Sequence, residues 1–386
     1  KRGVTSIGEY AFKGCRRTGY GISVTIPDSV QLIGNEAFFD CPALKDVTIP
    51  SGVTRLNDSV FGLCKSLTSV TIPDTVKTIG DQAFAHCTSL ASITIPASVT
   101  GIEAYAFCGC NALTDITIPD SVQFVRTGAF SDCTGLKSAV LSKNVTYIAE
   151  ELFYGCTSLA AFTVPSSVTS IEDSAFENCQ SLKTFAIPSS VTYIDKNAFD
   201  DCSNLQSFTA STANTAYSSN GGVLYNKNKT EIVLFPKGYS GSYTIPGTVS
   251  TIGDYTFDSC KKLTSVESTA GLKRIGLGAF LNCKALKTLK FARGLAAVDN
   301  MAFAMCDSLS SVTFLGNAPT FTGTPFSRDT ATVYYPAGDN TWTTSVRQNY
   351  GGTLKWTCSG SATTLSLSIS CSASSGKPAL RWNAVN

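Results

Sequence analysis

The sequence is poor in charged residues, which make up 15% of its 386 residues, against roughly 25% in soluble domains. Its formal net charge is only +2, and it contains no basic run of the kind that binds nucleic acid. No stretch approaches the roughly 20 apolar residues that a membrane-spanning helix needs. The composition therefore favours neither a nucleic-acid partner nor insertion into a membrane.

Histidine is almost absent as well, since His86 is the only one in the chain. It directly precedes Cys87, but no CxxC motif occurs, only the CGC at 108–110, so the ligands of a zinc site are lacking. Cys87 is one of twelve equivalent thiols, and glycine, aspartate, leucine and asparagine replace His86 in other repeats. No acid, base and nucleophile stand together outside the repeating pattern. We therefore expect no enzyme, no metal and no cofactor.

What the sequence does contain is a repeat anchored by phenylalanine and cysteine. From Phe38 to Phe199 a phenylalanine recurs every 23 residues, and the same step returns from Phe257. A cysteine follows each anchor after three residues. Self-similarity at this period predicts a solenoid whose units bury their apolar faces against one another. The anchors are Phe12, Phe38, Phe61, Phe84, Phe107, Phe130, Phe153, Phe176, Phe199, Phe257, Phe280 and Phe303.

Residues 67–90 illustrate one repeat, or rung. Val70 and Ile72 alternate with a threonine, which predicts a strand, and Pro73 ends it because proline has no backbone donor. After a turn the chain again places apolar residues inward. The last three inward residues have helical spacing, which predicts a short helical or 3₁₀ turn. We expect one strand per rung and burial of the inward side chains, which include Ile72, Ile79, Phe84 and Leu90.

The full pattern, L-x-x-V-T-I-P-x-S-V-x-x-I-G-x-x-A-F-x-x-C, resembles the leucine-rich repeats of BspA-like bacterial surface proteins. The resemblance covers roughly residues 1–356. It implies a leucine-rich-repeat solenoid, of the α/β class by architecture but mostly β, with parallel strands on its concave side. It also implies an extracellular, cell-surface protein that acts in adhesion or recognition.

Two regions depart from the regular repeat. An irregular insert at about 204–246 contains the runs GVLYN and EIVLFP around a polar turn, which predicts a β-hairpin or a broadened rung. This insert is either a structural variant or a functional protrusion. A C-terminal cap is expected at about 318–356, where Phe326 continues the repeat but Asp329 replaces the cysteine.

Residues 357–386 form a linker followed by the start of a second β domain. The linker is rich in serine, threonine and glycine. The final run KPALRWNAVN is similar to an early strand of a fibronectin-type-III-like module, truncated after one or two strands. This resemblance implies a multi-domain surface chain whose signal peptide and anchor lie outside the sequence.

The cysteines total 15, yet the repeat argues against a disulfide framework. Stacked strands place equivalent residues about 4.8 Å apart, beyond the roughly 3.5–4.5 Å between Cβ atoms that a disulfide prefers. We expect a ladder of reduced, buried thiols behaving as small apolar side chains. Cys108 lies outside this ladder and should be at least half exposed. Cys358 and Cys371 either pair with each other or belong to the next domain.

A candidate binding site is predicted on the outward positions of the V-x-x-I segment. Phe124 and Tyr147 occupy this position in successive rungs, about one strand spacing apart, and Tyr193 follows two rungs later. Exposed rings in one lane often mark a contact site, with Arg55 as a flanking candidate. The alternative is that the rings serve only the packing of neighbouring strands.

The sequence thus favours a non-enzymatic recognition or adhesion module. Its partner would be a protein or glycan of a host or neighbouring cell, bound through the exposed face of the solenoid. We expect the chain to be monomeric. The alternative is a structural spacer that presents downstream domains. A recognition surface should gather aromatics and arginine over neighbouring rungs, whereas a spacer needs only solubility there.

Overall fold

The computed structural model describes residues 3–15 and 22–359, together with the backbone of 368–370 and 379–381. Each repeat forms one coil, and successive coils stack in register as parallel strands. The predicted leucine-rich-repeat solenoid, built mostly from strands, is confirmed. The strands are short because each coil turns after two to five extended residues in most repeats.

The first segment of the solenoid ends before the insert. Its strands are β1 (Ser6–Ile7), β2 (Ile22–Thr25), β3 (Leu32–Ile33), β4 (Leu44–Thr48), β5 (Arg55–Leu56), β6 (Ser69–Thr71), β7 (Thr78–Ile79), β8 (Gly101–Ile102), β9 (Asp115–Thr117), β10 (Phe124–Val125), β11 (Ser138–Val140), β12 (Tyr147–Ile148), β13 (Ser170–Ile171), β14 (Thr184–Ile187), β15 (Tyr193–Ile194) and β16 (Ser207–Ala210).

Most coils contribute two strands rather than the single strand predicted. The V-T-I segments of successive coils pair with each other, as Val47 does with Val70, and form what we call the first ladder. The V-x-x-I segment pairs in a second ladder, as Leu56 does with Ile79. The second strand is only two residues long, so its sequence is too short to show the alternation of apolar and polar residues that predicts a strand.

The predicted helical turn does not form in any described coil, and a third set of inter-coil hydrogen bonds replaces it. In the coil of Phe84, Gln82 and His86 have left-handed φ values of 52° and 58°, which interrupt helical geometry. Alternate N–H groups donate to the next coil, as Phe84 does to the Ala106 carbonyl at 2.8 Å. We call this set the turn ladder. It runs forward along the chain, whereas Thr100 on the strand side donates backward to the Lys77 carbonyl.

The core of the first segment is a column of stacked phenylalanine rings. Ring centroids of successive anchors from Phe12 to Phe199 lie between 5.1 and 5.9 Å apart, in the range of favourable aromatic pairs. All these rings are buried except Phe12, which is 45% exposed because it belongs to the first coil. The inward residues predicted to be buried are buried, namely Ile72, Ile79, Phe84 and Leu90.

The cysteine ladder is buried as predicted, apart from Cys15 in the first coil, which is exposed. All fourteen cysteines of the described residues are free thiols. Ten of the twelve ladder thiols donate to a phenylalanine carbonyl, a partner that the sequence did not suggest. Cys87 Sγ, for example, donates to the Phe61 carbonyl of the preceding coil at 3.2 Å. Cys108 is half-buried, as expected.

The insert forms a small antiparallel sheet of β17 (Tyr217–Asn220), β18 (Val223–Asn226) and β19 (Ile232–Leu234), in the order of the chain. Its strands alternate between two apolar clusters. Leu224 and Leu234 join the core of the first segment, whereas Val223 and Tyr225 join the core of the second. The insert therefore separates the two parts of the solenoid core.

The second segment resumes both ladders after the insert. Its strands are β20 (Gly241–Ile245), β21 (Thr251–Ile252), β22 (Leu263–Ser268), β23 (Arg274–Ile275), β24 (Thr288–Phe291), β25 (Ala297–Val298), β26 (Ser311–Phe314), β27 (Thr320–Phe321), β28 (Thr330–Pro336) and β29 (Thr353–Ser359).

Aromatic residues cover the C-terminal end of the second segment. The Trp342 ring is buried, packs 5.2 Å from Phe314, and donates from Nε1 to the Gly316 carbonyl at 3.0 Å. The Tyr350 ring lies 4.7 Å from Phe321. Asp329 is buried in the cysteine position, where its Oδ1 accepts from the Cys306 N–H at 2.8 Å.

Beyond the cap only β30 (Ser368–Ser370) and β31 (Ala379–Arg381) are described, and they pair antiparallel. Cys358 is exposed and free, but Cys371 lies outside the described residues. Most of the run compared with a fibronectin-type-III-like module also lies outside them.

Candidate functional site

The second ladder positions the four residues of the predicted lane, but it divides them into two sheets. Arg55 and Phe124 belong to the ladder β5–β7–β8–β10, and Tyr147 and Tyr193 belong to β12–β13–β15. No strand pairing joins β10 to β12. Strand pairing therefore does not link Phe124 to Tyr147, and the side-by-side stacking of their rings stays a prediction.

Phe124 is half-buried and is held from two sides. Its ring lies directly over the Gly101 backbone, where an added Cβ would come within 2.2 Å of Cζ. The guanidinium of Arg126 lies 4.7 Å from the ring centroid and is fixed by Glu103 at 2.7 Å. A glycine opposite a large ring is a packing arrangement, so Phe124 serves the solenoid as well as its surface.

The two tyrosines differ in exposure. Tyr147 is half-buried against the core, whereas Tyr193 is 49% exposed. The Tyr193 hydroxyl donates to the Asp195 carboxylate at 3.1 Å, and this hydrogen bond raises the pKa of Tyr193. Tyr193 therefore presents a ring to solvent with its hydroxyl already oriented.

Arg55 is exposed and forms an ion pair with Asp58 at 3.2 Å. It is separated from Phe124 along the ladder by β7 and β8. Its rung is also farther from those of Tyr147 and Tyr193 than the rung of Phe124 is.

A groove of about 380 Å³ opens beside Tyr147, which sequence reasoning did not predict. Four carboxylates and one guanidinium contribute to it, so it can hold a partner's cationic groups. The residues that could have indicated it are those that follow the inward isoleucine or valine, because Arg126, Glu172 and Asp195 carry charges at this position in neighbouring rungs. The lining residues are Ala104, Arg126, Thr127, Tyr147, Ala149, Glu150, Glu172, Asp173 and Asp195.

The surrounding surface is strongly acidic. Residues 147–201 contain eight aspartates and glutamates but only two lysines and no arginine. The pKa of Tyr154 is raised, mainly by the negative charge of Glu177. Burial, followed by the neighbouring aspartates, raises the pKa of Glu177 itself. The tyrosines of this region therefore lie in a negative field.

Metal ligation has no support in residues 3–15 and 22–359, where no group of three or more histidine, cysteine or carboxylate side chains could hold an ion. His86 is exposed and lies against Gly109 of the next coil, where an added Cβ would come within 2.3 Å of Nδ1. In the same part of the chain, no helix has the length and apolar character to span a bilayer.

Two solved structures share this architecture. A leucine rich cell surface protein from Faecalibacterium prausnitzii is 30% identical, with 90% of each chain covered and a TM-score of 0.58. A leucine-rich repeat protein from Bacteroides ovatus is 23% identical, with 87% of this chain and 92% of that chain covered and a TM-score of 0.61. A comparison with curated proteins finds no match.

The sequence also matches the family described as BspA type leucine rich repeat region, in six copies across residues 5–137, 125–240 and 235–334. Repeats of this kind are generally non-catalytic protein-interaction modules. No support appears for the fibronectin-type-III-like module at the end of the chain. The chain belongs to the BspA-type leucine-rich-repeat family.

Proposed function

We propose that the chain is a non-enzymatic recognition module of a bacterial cell surface. It binds a protein of a host or neighbouring cell through Tyr193, Tyr147 and the carboxylates of the adjacent groove, which we call the Tyr193 surface. The observation that carries this proposal is the 49% exposure of Tyr193 beside a groove lined by Glu172 and Asp195. The surface location is supported by the similar cell surface protein of Faecalibacterium prausnitzii.

The chemistry of the Tyr193 surface favours a basic partner. Tyrosine is enriched among the residues that dominate binding energy, and clustered carboxylates attract lysine and arginine over several ångströms. A protein segment rich in these residues fits this charge better than a neutral glycan. Because exposed charges are screened by salt, association should slow and weaken as ionic strength rises.

The proposal is tested by surface plasmon resonance with the purified chain and a panel of matrix proteins and glycans. Tyr193→Ser should weaken binding of a protein ligand at least tenfold without a change in melting temperature, since its ring is largely solvated. The matched control is Tyr10→Ser, because Tyr10 is 52% exposed but lies at the other end of the first segment. Equal losses in both variants, or binding that is insensitive to salt, would contradict the proposal.

Phe124 requires a different expectation from the two tyrosines. Its ring packs over Gly101 and under Arg126, so replacing it with serine should lower stability as well as any binding. A double substitution of Phe124 and Tyr147 therefore cannot isolate recognition. Tyr193→Ser is the cleaner change.

The alternative function is a rigid spacer that presents further domains. It is favoured by the continuous ring column of the first segment, in which every coil is fixed to the next. If no panel member binds while the chain resists bending in single-molecule measurements, the spacer is the better description.

A further inference from the structure

The turn ladder is interrupted where the insert enters the solenoid. In a regular coil, alternate N–H groups around the anchor phenylalanine donate to carbonyls of the next coil, as Phe176 does to Ala198 at 2.8 Å. At the last coil of the first segment, the N–H groups of Phe199 and Asp201 make no hydrogen bond with any described residue. Phe199 is buried, so its unpaired donor is costly.

The opposite edge shows the complementary gap. The first regular coil after the insert is anchored by Phe257, and by position its acceptors are the carbonyls of Asp254, Thr256 and Asp258. Within the described part of the chain, the Asp254 and Thr256 carbonyls receive no hydrogen bond. The Asp258 carbonyl accepts from Lys237 Nζ at 3.0 Å, so one lysine replaces one backbone donor.

A cavity of about 260 Å³ lies between these two edges. Its walls include Phe199 on one side and Thr256 on the other, and Val233 of β19 also lines it. Lys237 crosses it, because its ammonium also pairs with the Asp200 carboxylate at 3.1 Å. The unpaired donor Phe199 thus lines one wall, and the unpaired acceptors Asp254 and Thr256 line the other.

This arrangement matches the main chain of a peptide. In the regular part of the solenoid, the backbone of one coil donates from alternate residues to the next coil and accepts from the preceding one. A peptide main chain placed between the two edges could do the same. Added peptide strands are recognised in the same way at open sheet edges. The inner side leaves little room, since Phe208 packs against Phe199 at 5.1 Å and Phe235 against Phe257 at 4.3 Å.

We propose that this cavity binds a short peptide segment of another protein, held by main-chain hydrogen bonds to Phe199, Asp254 and Thr256. Its inward side chains must be small, such as alanine or serine, because aromatic rings already fill the core on both sides. The site is distinct from the Tyr193 surface and does not depend on it.

The test is a titration of the full ¹⁵N-labelled chain with acetyl-Ala-Ser-Ala-N-methylamide, followed by amide spectra. The Phe199 amide should shift and saturate at millimolar peptide, the range of weak complexes. The Phe176 and Phe280 amides, already bonded to the next coil, should not move. A peptide methylated on its serine nitrogen should bind at least tenfold more weakly, because it cannot donate to the facing carbonyls.

A second arm uses Val233→Phe, which fills the cavity from β19, with the melting temperature measured to verify folding. In this variant the Phe199 shift should disappear. The proposal is overturned if the Phe199 amide does not respond, if the methylated peptide binds equally well, or if the shift persists in the filled variant. A Phe199 amide in contact only with water would also overturn it.

Discussion

Single residues of the cysteine column combine two properties that few side chains share. The thiol is small enough for the interior of a coil, and its Sγ donates to a phenylalanine carbonyl of the preceding coil, as Cys133 does to Phe107 at 3.2 Å. Serine would make the same bond but would bury a more polar atom. Burial raises the pKa of the Cys87 thiol to about 12, so it remains a protonated donor at neutral pH.

The first prediction concerns Cys133, which is fully buried. Cys133→Asp should lower the free energy of unfolding by about 3 kcal/mol or more, because an unpaired carboxylate would replace an apolar group. Urea unfolding provides the measurement. Cys15→Asp is the matched control at an exposed position of the same column, and its effect should stay within about 0.5 kcal/mol. Equal losses at both positions would show that the column is not a buried core.

The second prediction concerns Asp329 and the pH dependence of the stability of the cap. Burial raises its pKa to about 7 from an ordinary 3.8, with Asp307 acting in the same direction and the Cys306 N–H and Lys284 against it. The folded state therefore binds this proton more tightly than the unfolded state does. The stabilisation is fully present below about pH 4 and is lost as the pH rises to about 7.

The measurement is the urea midpoint of the cap between pH 4 and pH 8, read from tryptophan fluorescence. Asp329→Asn should remove this part of the pH dependence and stabilise the cap at pH 8. Parallel pH profiles for the two proteins would refute the assignment. The sequence indicated that Asp329 interrupts the column, but it predicted a cap residue rather than a carboxylate buried under residues 350–353.

Among the elements, β8 and β10 depend on each other through Gly101 and Phe124. Gly101→Ala should cost about 1–3 kcal/mol, since the added methyl would overlap the Phe124 ring. In a Phe124→Ala background the same change should be nearly neutral. A double-mutant cycle measures this coupling, and additive effects would mean that the ring does not lie on the glycine.

The junction at the insert depends on Lys237, whose side chain is 11% exposed and pairs with Asp200. Lys237→Met should cost about 3 kcal/mol, because Asp200 and the Asp258 carbonyl would lose a buried donor. Lys284→Met is the matched control, since its pair with Asp307 is largely exposed and worth at most about 1 kcal/mol. The free energies of unfolding of both variants, measured by chemical denaturation, test this difference.

The elements also show how far the repeat could be interpreted in advance. The strand of Val70 and the burial of Ile79 and Phe84 follow from alternation and from the 23-residue period. The turn ladder does not, because left-handed residues such as Gln82 and His86 share no side-chain type. The groove beside Tyr147 was missed for a related reason: its carboxylates come from several rungs and meet only after stacking.

For the whole molecule, the insert should divide unfolding into two steps. Stability in stacked repeats comes from neighbouring contacts, and here the core consists of two apolar clusters whose residues alternate along β18 and β19. Eight buried thiols report on the first segment and three on the second. Pulsed thiol labelling in urea should give one midpoint for residues 41–202 and another for 260–306. One shared midpoint for all eleven would show that the insert couples the segments fully.

The opposite directions of the inter-coil hydrogen bonds have an electrostatic consequence. Peptide groups of the turn ladder donate forward, as Phe84 does, whereas in the V-x-x-I segment Thr100 and Gly80 donate backward. Each peptide carries a dipole of about 3.5 D, so the dipoles of these two sets oppose each other along the solenoid axis. In an α-helix all peptide dipoles add along one axis, whereas here the turn ladder and the V-x-x-I segment act against each other, so each added coil adds less to the field at the ends.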